Sequence, residues 1–382
     1  MSLRMDLVAA QLPAVVDRYQ AALVATGAAL DEARGRLKRW NDDLDGANFR
    51  VEQAMRDQAV PYALALEEDP AGVFAPEACP PVTVVAVDGS SIAPDRFAAV
   101  RCYAVNVGHA SLPYGVTHEA DLGATAEVGL DRELLDDAAD IRAAPRGLAV
   151  RLLRDVRELE RGAELASAAI PAGAAVLLID GTLLPWDLHT RQASEAALAP
   201  YRDRTFEALE RLRAGGAPLS VGAYISASAA REVAISLETL GAAPASPAPP
   251  LDDGDVFRRL LGDGERSALF ASRSSRPGRV EELLPGHEVA FFYLRVGDDV
   301  ARVEVPLWAS APEQIGRLHA ALVDQCARCD GYPRALQEAH EQAVISMGDR
   351  KQFERLLELL AGDAGLRAPA NGKERSKRRR SL

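Results

Sequence analysis

Two stretches drive a hydrophobic run into the same pair of residues. VVAVDGSS, residues 84–91, carries Asp88–Gly89, and VLLIDGTLL, residues 176–184, carries Asp180–Gly181. A carboxylate delivered by a buried strand is a fixed oxygen donor, and two of them on neighbouring strands suit a hard cation such as Mg2+ or Mn2+. Such ions activate water and clamp the oxygens of a phosphodiester. The competing reading is turn chemistry, since Asp-Gly is a favoured turn pair and Asp caps helices. A third acid is available on the helix before the second motif, RDVRELERGAELASAAI (154–170), which offers Glu158, Glu160 and Glu164. Glu160 and Glu164, four apart, share a helix face. The competing reading there is a solvated charged face.

A second constellation lies near the C-terminus, in DQCARCDGYPRALQEAHEQAVI (324–345). Gly331 closes one helix and Pro333 opens the next, with Tyr332 at the joint. His340 falls two turns into the new helix, among Leu336, Ala339, Ala343 and Val344. A histidine there is a metal ligand or proton-transfer group, or simply a packing residue. Cys326 and Cys329 form one CxxC, which is half of a zinc site with no second pair to complete it. They read as two small helix residues one turn apart.

The elements that must position these groups follow from periodicity. The chain has 382 residues, 48% of them hydrophobic, enough for one large or two ordinary cores. Residues 3 to about 58 read as helix, with Leu7, Leu12, Val15, Val16, Tyr19, Leu23 and Leu30 at roughly helical spacing and Pro13 as an early bend. The charged second half of that helix suggests projection and self-association. PEACPP is a linker. Strands are expected at 82–87, 96–110 and near 115–123 as a meander, and then at 175–180. Another is PLSVGAYIS, and HEVAFFYLRVG with VARVEVPLW form a hairpin turning at Gly297–Asp299. Helices fill the intervals, and the end reads as helical over 313–329, 334–346 and 350–361. The resulting organisation is a helical region over 1–75, one α/β domain over 76–365 and a basic tail over 366–382.

Charge and hydropathy exclude several functions. The net charge of −12 argues against a surface that coats DNA generally. The tail NGKERSKRRRSL reverses that sign locally, with Lys373, Arg375, Lys377, Arg378, Arg379 and Arg380 against Glu374. Such a segment is either a polyanion contact or a solubilising terminus. No apolar run reaches membrane length, and the first residues lack a signal peptide's apolar core, so a cytoplasmic protein is expected. No GxxxxGK[ST] phosphate loop occurs, so the chain is not expected to drive translocation with ATP.

Taken together, these pieces resemble the NurA family of prokaryotic DNA-end-processing nucleases. The matching segments are AVDGSS with Asp88, LIDGTLL with Asp180, VGAYISAS at 221–228, FFYLRVG and VARVEVP within 291–306, and DGYPRALQEAHEQAVI at 330–345, in the family's order. The resemblance implies an α/β, RNase H-like mixed β-sheet flanked by helices, preceded by a long N-terminal helical extension. It implies a Mn2+-dependent nuclease (Mg2+ possible) acting on DNA ends and single strands in double-strand break repair, a homodimer, and a HerA-type hexameric ATPase as partner. By motif, Asp88 and Asp180 become metal-binding carboxylates, a helix glutamate becomes the third acid, with Glu160 favoured over Glu164, and His340 becomes a ligand or proton-transfer group. Tyr332 would position phosphate or water, with further nucleic-acid contacts at Ser90 and Ser226. The chain departs from the pattern after Ser226, where ASAAREVA has no immediate basic residue; Arg231 is the substitute. Two other readings stay open: a non-catalytic DNA-binding or assembly subunit of the same translocase, and a small-molecule phosphoesterase.

Overall fold

The computed structural model of the chain describes residues 4–117, 119–135, 146–190, 192–241, 250–274 and 280–366. In chain order the helices and strands are α1 (Met5–Asp42), α2 (Leu44–Met55), β1 (Pro61–Ala65), β2 (Val73–Phe74), β3 (Val82–Ile92), β4 (Cys102–Tyr114), β5 (Asp121–Leu130), α3 (Arg146–Ala169), β6 (Ala175–Asp180), α4 (Glu195–Arg213), β7 (Leu219–Ile225), α5 (Glu232–Thr239), α6 (Asp253–Arg258), β8 (Arg266–Ser267), β9 (Phe270–Ser274), α7 (Val280–Leu283), β10 (Val289–Val296), β11 (Asp299–Pro306), α8 (Pro312–Ala327), α9 (Arg334–Ala343) and α10 (Met347–Asp363). They form two compact units, one of residues 1–77 with 224–307, the other of residues 78–223 with 308–382. The PEACPP linker falls at the first boundary.

The second unit carries the acidic motifs. Its strands lie in the order β5-β4-β3-β6-β7. β3, β4 and β5 form an antiparallel meander, and β6 joins β3 in parallel. A meander extended by a parallel strand on its first member is the RNase H-like arrangement, and the sheet is mixed. β3 and β6 are buried Val/Leu/Ile runs, the composition of strands covered on both faces. α3 covers one face: a Cβ on its Gly162 would stand 3.1 Å from Leu177 and 3.3 Å from Val87. α9 covers the other face, so close that a Cβ on Gly108 would stand 2.3 Å from the Ala339 carbonyl oxygen.

β3 is longer than its sequence suggests. It runs through Asp88–Gly89 to Ile92, paired with β4 throughout, so this Asp-Gly is mid-strand and not a turn. The second Asp-Gly behaves as expected: Asp180 ends β6 and Gly181 takes φ 84°.

The first unit gathers the N-terminal helices onto β1, β9 and β10, so residues 1–75 share a core with 224–307 instead of standing alone. Here the expectation for α1 is reversed. The charged second half packs, burying Leu30, Ala33, Leu37 and Trp40, while Met5, Leu7, Leu12, Val15, Val16 and Tyr19 of the first half are exposed. The buried four recur at steps of three and four, a stripe that the surrounding charges disguise. Arg36 joins them by donating to the Leu237 and Glu238 carbonyls at the end of α5. α1 runs through Pro13 without ending. Among the described residues no helix is long and apolar enough to cross a membrane.

Candidate active site

The two aspartates are brought level by strand register. β3 and β6 run parallel, and their last paired residues are Val87 and Ile179. Asp88 and Asp180 follow immediately on adjacent strands, which are spaced about 4.8 Å apart. From Asp88 onward β3 has β4 on one side and no β6 on the other. Side chains from both faces of the sheet can meet in that notch.

From one face comes α9. Asp88 lies opposite Gly108 in the β3–β4 ladder, and Gly108 is where the α9 backbone touches the sheet. Two neighbouring side chains tie down the end of that helix: Ser90 Oγ donates to the Ala343 carbonyl, and Asn106 Nδ2 donates to the Gln342 and Ala343 carbonyls at 3.1 and 2.8 Å. Gln325 of α8 accepts from the Ala335 amide at 2.9 Å and fixes its start. So held, α9 sets His340 Nδ1 at 2.7 Å from Asp88 Oδ2, while Asp88 Oδ1 accepts from the Gly89 amide at 2.7 Å. The α8–α9 joint is shaped by left-handed Asp330 and Gly331, with φ 46° and 94°. It presents Tyr332, whose hydroxyl donates to Asp180 Oδ1 at 2.9 Å. Burial and the adjacent Asp180 carboxylate keep the proton firmly on that phenol.

From the other face comes α3. Successive strand residues alternate faces, so Gly89 points opposite to Asp88. Glu158 fills the space that Gly89 leaves empty: a Cβ there would stand 2.3 Å from Glu158 Oε1 and 2.8 Å from Arg154 Cγ. Glu158 is buried, with Arg154 Nε at 3.1 Å. Its burial, opposed by Arg154 but reinforced by the negative charges of Asp155, Asp88 and Asp180, raises its pKa to about 8. Asp180 is also shifted upward, by desolvation first and then by Asp88. A cavity of about 250 Å³ is lined by Arg154, Asp155, Glu158, Asp180 and Thr182 among others.

The structure therefore brings Asp88, Asp180, Tyr332 and His340 together, and Glu158 with them. It places Glu160 and Glu164 elsewhere. Glu160 accepts from Arg204 through both oxygens at 2.8 Å and from Arg157 at 3.0 Å; Glu164 pairs with Arg161 at 2.8 Å. Both line a separate cavity of about 400 Å³ between α3, α4, β4 and β5. The reason is angular: two residues along a helix are 200° apart, so the face that carries Glu158 to the notch carries Glu160 away. Glu160 and Glu164, expected as the third acid, thus lie apart from Asp88 and Asp180, and Glu158 is the helix acid beside them. Ser90 is spent on α9. Ser226 and Arg231 belong to the first compact unit, and the Arg231 guanidinium is bound to the Leu251 carbonyl and Glu238. Cys326 and Cys329, at the end of α8, are not joined in a disulfide. The basic tail lies outside the described residues.

The donor set fits a hard divalent cation by its chemistry. Carboxylates crowd the notch, and the buried glutamate is pushed up to about 8 by desolvation first, opposed by Arg154, with the charges of Asp155, Asp88 and Asp180 adding to the rise. Among the described residues, however, no three His, Cys, Asp or Glu side chains are already gathered around one point. They arrive from two faces, and the Asp88 and Asp180 oxygens are engaged with His340 and Tyr332.

Residues 82–345 match the family model of the NurA domain. Among solved structures, the chain is similar to the NurA nuclease from Sulfolobus solfataricus at 16% identity, covering 86% of this chain and 97% of that one with a TM-score of 0.48. It is also similar to NurA solved with manganese, at 13% identity, 76% and 91% coverage and a TM-score of 0.43. NurA bound to dAMP and manganese matches at 13% identity, 82% and 93% coverage and a TM-score of 0.36. No curated protein matches the sequence.

Proposed function

The chain belongs to the NurA family, and from that premise we propose that it is a metal-dependent deoxyribonuclease hydrolysing phosphodiesters at DNA ends and in single strands. The observation that carries the reading is the meeting of Asp88, Asp180 and Glu158 with His340 and Tyr332 in the notch beyond the end of β6.

Asp88, Asp180 and Glu158 would hold Mn2+, or Mg2+ in its place. When bound, the cation supplies an activated water and neutralises charge developing on the phosphate. The chain's own groups do the rest. Glu158 must give up its proton to become a ligand, so binding is proton-linked below pH about 8. With His340 Nδ1–H donating to Asp88 Oδ2, Nε2, on a ring 60% exposed, is left as the proton acceptor facing solvent. His340 is thereby oriented to take a proton from water or return one to the leaving oxygen. Tyr332, firmly protonated, acts as a donor that fixes the Asp180 carboxylate; it is no base.

The same reading includes a homodimer, a HerA-type hexameric ATPase as partner and a role in resecting double-strand breaks, as the family resemblance implies. Hydrolysis of end-labelled single-stranded DNA with Mn2+ tests the reading, comparing wild type with Asp88→Ala. We expect at least a hundredfold loss of rate in the variant, the scale of removing a group from a preorganised charged site. Equal degradation by both proteins sinks the site. Failure of wild type to degrade DNA, alone and with its ATPase, returns the chain to a non-catalytic subunit.

A further inference from the structure

Beside the five residues of the proposed site stands the cation that partners Glu158. Arg154 lies one helical turn before Glu158 on α3, and its side chain lies against Gly89, next to Asp88. The cavity beside Asp180 is lined by three acids, Asp155, Glu158 and Asp180, and Arg154 is the only cation among its described lining residues.

The way Arg154 is held decides its use. Asp155 Oδ1 accepts from Arg154 Nη2 at 2.7 Å and Nε at 3.1 Å, and Glu158 Oε1 stands 3.1 Å from Nε. All of these contacts lie on the Nε–Nη2 side of the guanidinium. Nη1 has no partner among the described residues, and the side chain is 32% exposed. An arginine needed only to neutralise Glu158 would turn its fork to that carboxylate. Here the Nε–Nη2 edge is clamped by its sequence neighbour, and the residue lines the cavity beside Asp180. A planar guanidinium with one edge fixed and N–H groups free matches the bidentate geometry by which Arg takes a phosphate. A phosphodiester entering a notch of three carboxylates also needs positive charge, and Arg154 is the protein group placed to supply it.

We propose that Arg154 is a substrate-binding residue that grips a backbone phosphate of the DNA strand through its free Nη1 edge, with Asp155 as the positioning residue that holds it there. This assignment rests on the nuclease reading above.

The test is equilibrium binding of a fluorescent single-stranded oligonucleotide to the full chain in EDTA, where hydrolysis is off, over a range of salt concentrations. Arg154→Gln is expected to weaken binding about tenfold and to reduce the salt slope by about 0.7, the value for one lost single-strand phosphate contact. A merely structural loss would leave that slope unchanged. Arg154→Lys keeps the charge, so it should retain the slope while losing several-fold in affinity. Asp155→Asn should do the same by freeing the guanidinium. In Mn2+ the loss should appear in KM more than in kcat. Wild-type affinity and slope in Arg154→Gln, with wild-type hydrolysis intact, overturn the Arg154 assignment alone. If Arg154→Gln does not fold, unchanged affinity in both Arg154→Lys and Asp155→Asn overturns it. A wild-type protein that neither binds nor degrades DNA removes the nuclease reading and this inference with it.

Discussion

Gly89→Ala isolates the geometry of the third acid. The glycine's φ is not in the left-handed region, so alanine is compatible with the strand backbone and only the added methyl matters. That methyl would stand 2.3 Å from Glu158 Oε1, 2.9 Å from its Cδ and 2.8 Å from Arg154 Cγ. Ordinary contact needs about 3.5 Å between such atoms, so Glu158 must retreat by about 1 Å. A displacement of that size at a reacting centre costs on the order of 10²-fold in rate. Overpacking costs stability by roughly 1–3 kcal/mol, which leaves a folded protein for assay. Hydrolysis of a labelled oligonucleotide in Mn2+, with thermal unfolding alongside, measures both. The double variant Gly89→Ala with Glu158→Asp, one methylene shorter, should relieve the clash and regain stability relative to Gly89→Ala. Wild-type turnover in folded Gly89→Ala would refute the claim that Glu158 acts from its place against Gly89.

Three further outcomes follow from the same structure. Glu158→Gln should lower the hydrolysis rate by 10²-fold or more, the order seen when one preorganised charged group is removed. Glu160→Gln should leave the rate within a few-fold and lower the unfolding midpoint slightly, since its pairs with Arg157 and Arg204 are partly exposed; equal losses of activity in the two variants would contradict the register of α3. In the first compact unit, burial raises Glu232 to about 7, opposed by Arg302 and reinforced by Asp253 and Glu304, and raises Asp253 to about 6, opposed by hydrogen bonds from the Ala234 and Val233 amides. A carboxyl whose folded pKa is raised contributes stability that is complete below its unfolded pKa, near 4.5 for Glu232, and lost as pH rises through about 7. The unfolding free energy of wild type minus that of Glu232→Gln should therefore fall between pH 4.5 and 7, and a difference that rises over this interval would reverse the assignment.

Local sequence was enough to identify Asp88, Asp180, Tyr332 and His340 as candidates. A Val- or Leu-rich run ending in an acid marks a carboxylate carried by a buried strand, and Gly331 and Pro333 punctuate the joint that presents Tyr332. Strand and helix periods are short-range, so the mixed α/β pattern is visible without knowing which elements touch. The same shortness of range explains the failures. Asp88–Gly89 reads as a turn because nothing local reveals that β4, a dozen residues on, carries Gly108 and Asn106 to continue the ladder to Ile92.

The third acid could not be chosen from the helix alone. Glu158, Glu160 and Glu164 are all glutamates on one charged helix, and pattern favours the pair spaced by four. What selects Glu158 is the face of α3 that meets β3 and β6, and the absence of a side chain at Gly89, a residue seventy positions earlier. α1 errs for a related reason, since Leu30, Ala33, Leu37 and Trp40 are a stripe among charges whose burial depends on a core built largely from residues beyond 224. Sequence by itself determined which residues are candidates for chemistry and, for most segments, whether they are strand or helix, because both are set by side-chain type and near neighbours. Only the tertiary structure decided which helix glutamate lies against Gly89 and that Arg154 stands beside it, because those depend on the packing angle between a helix and a sheet.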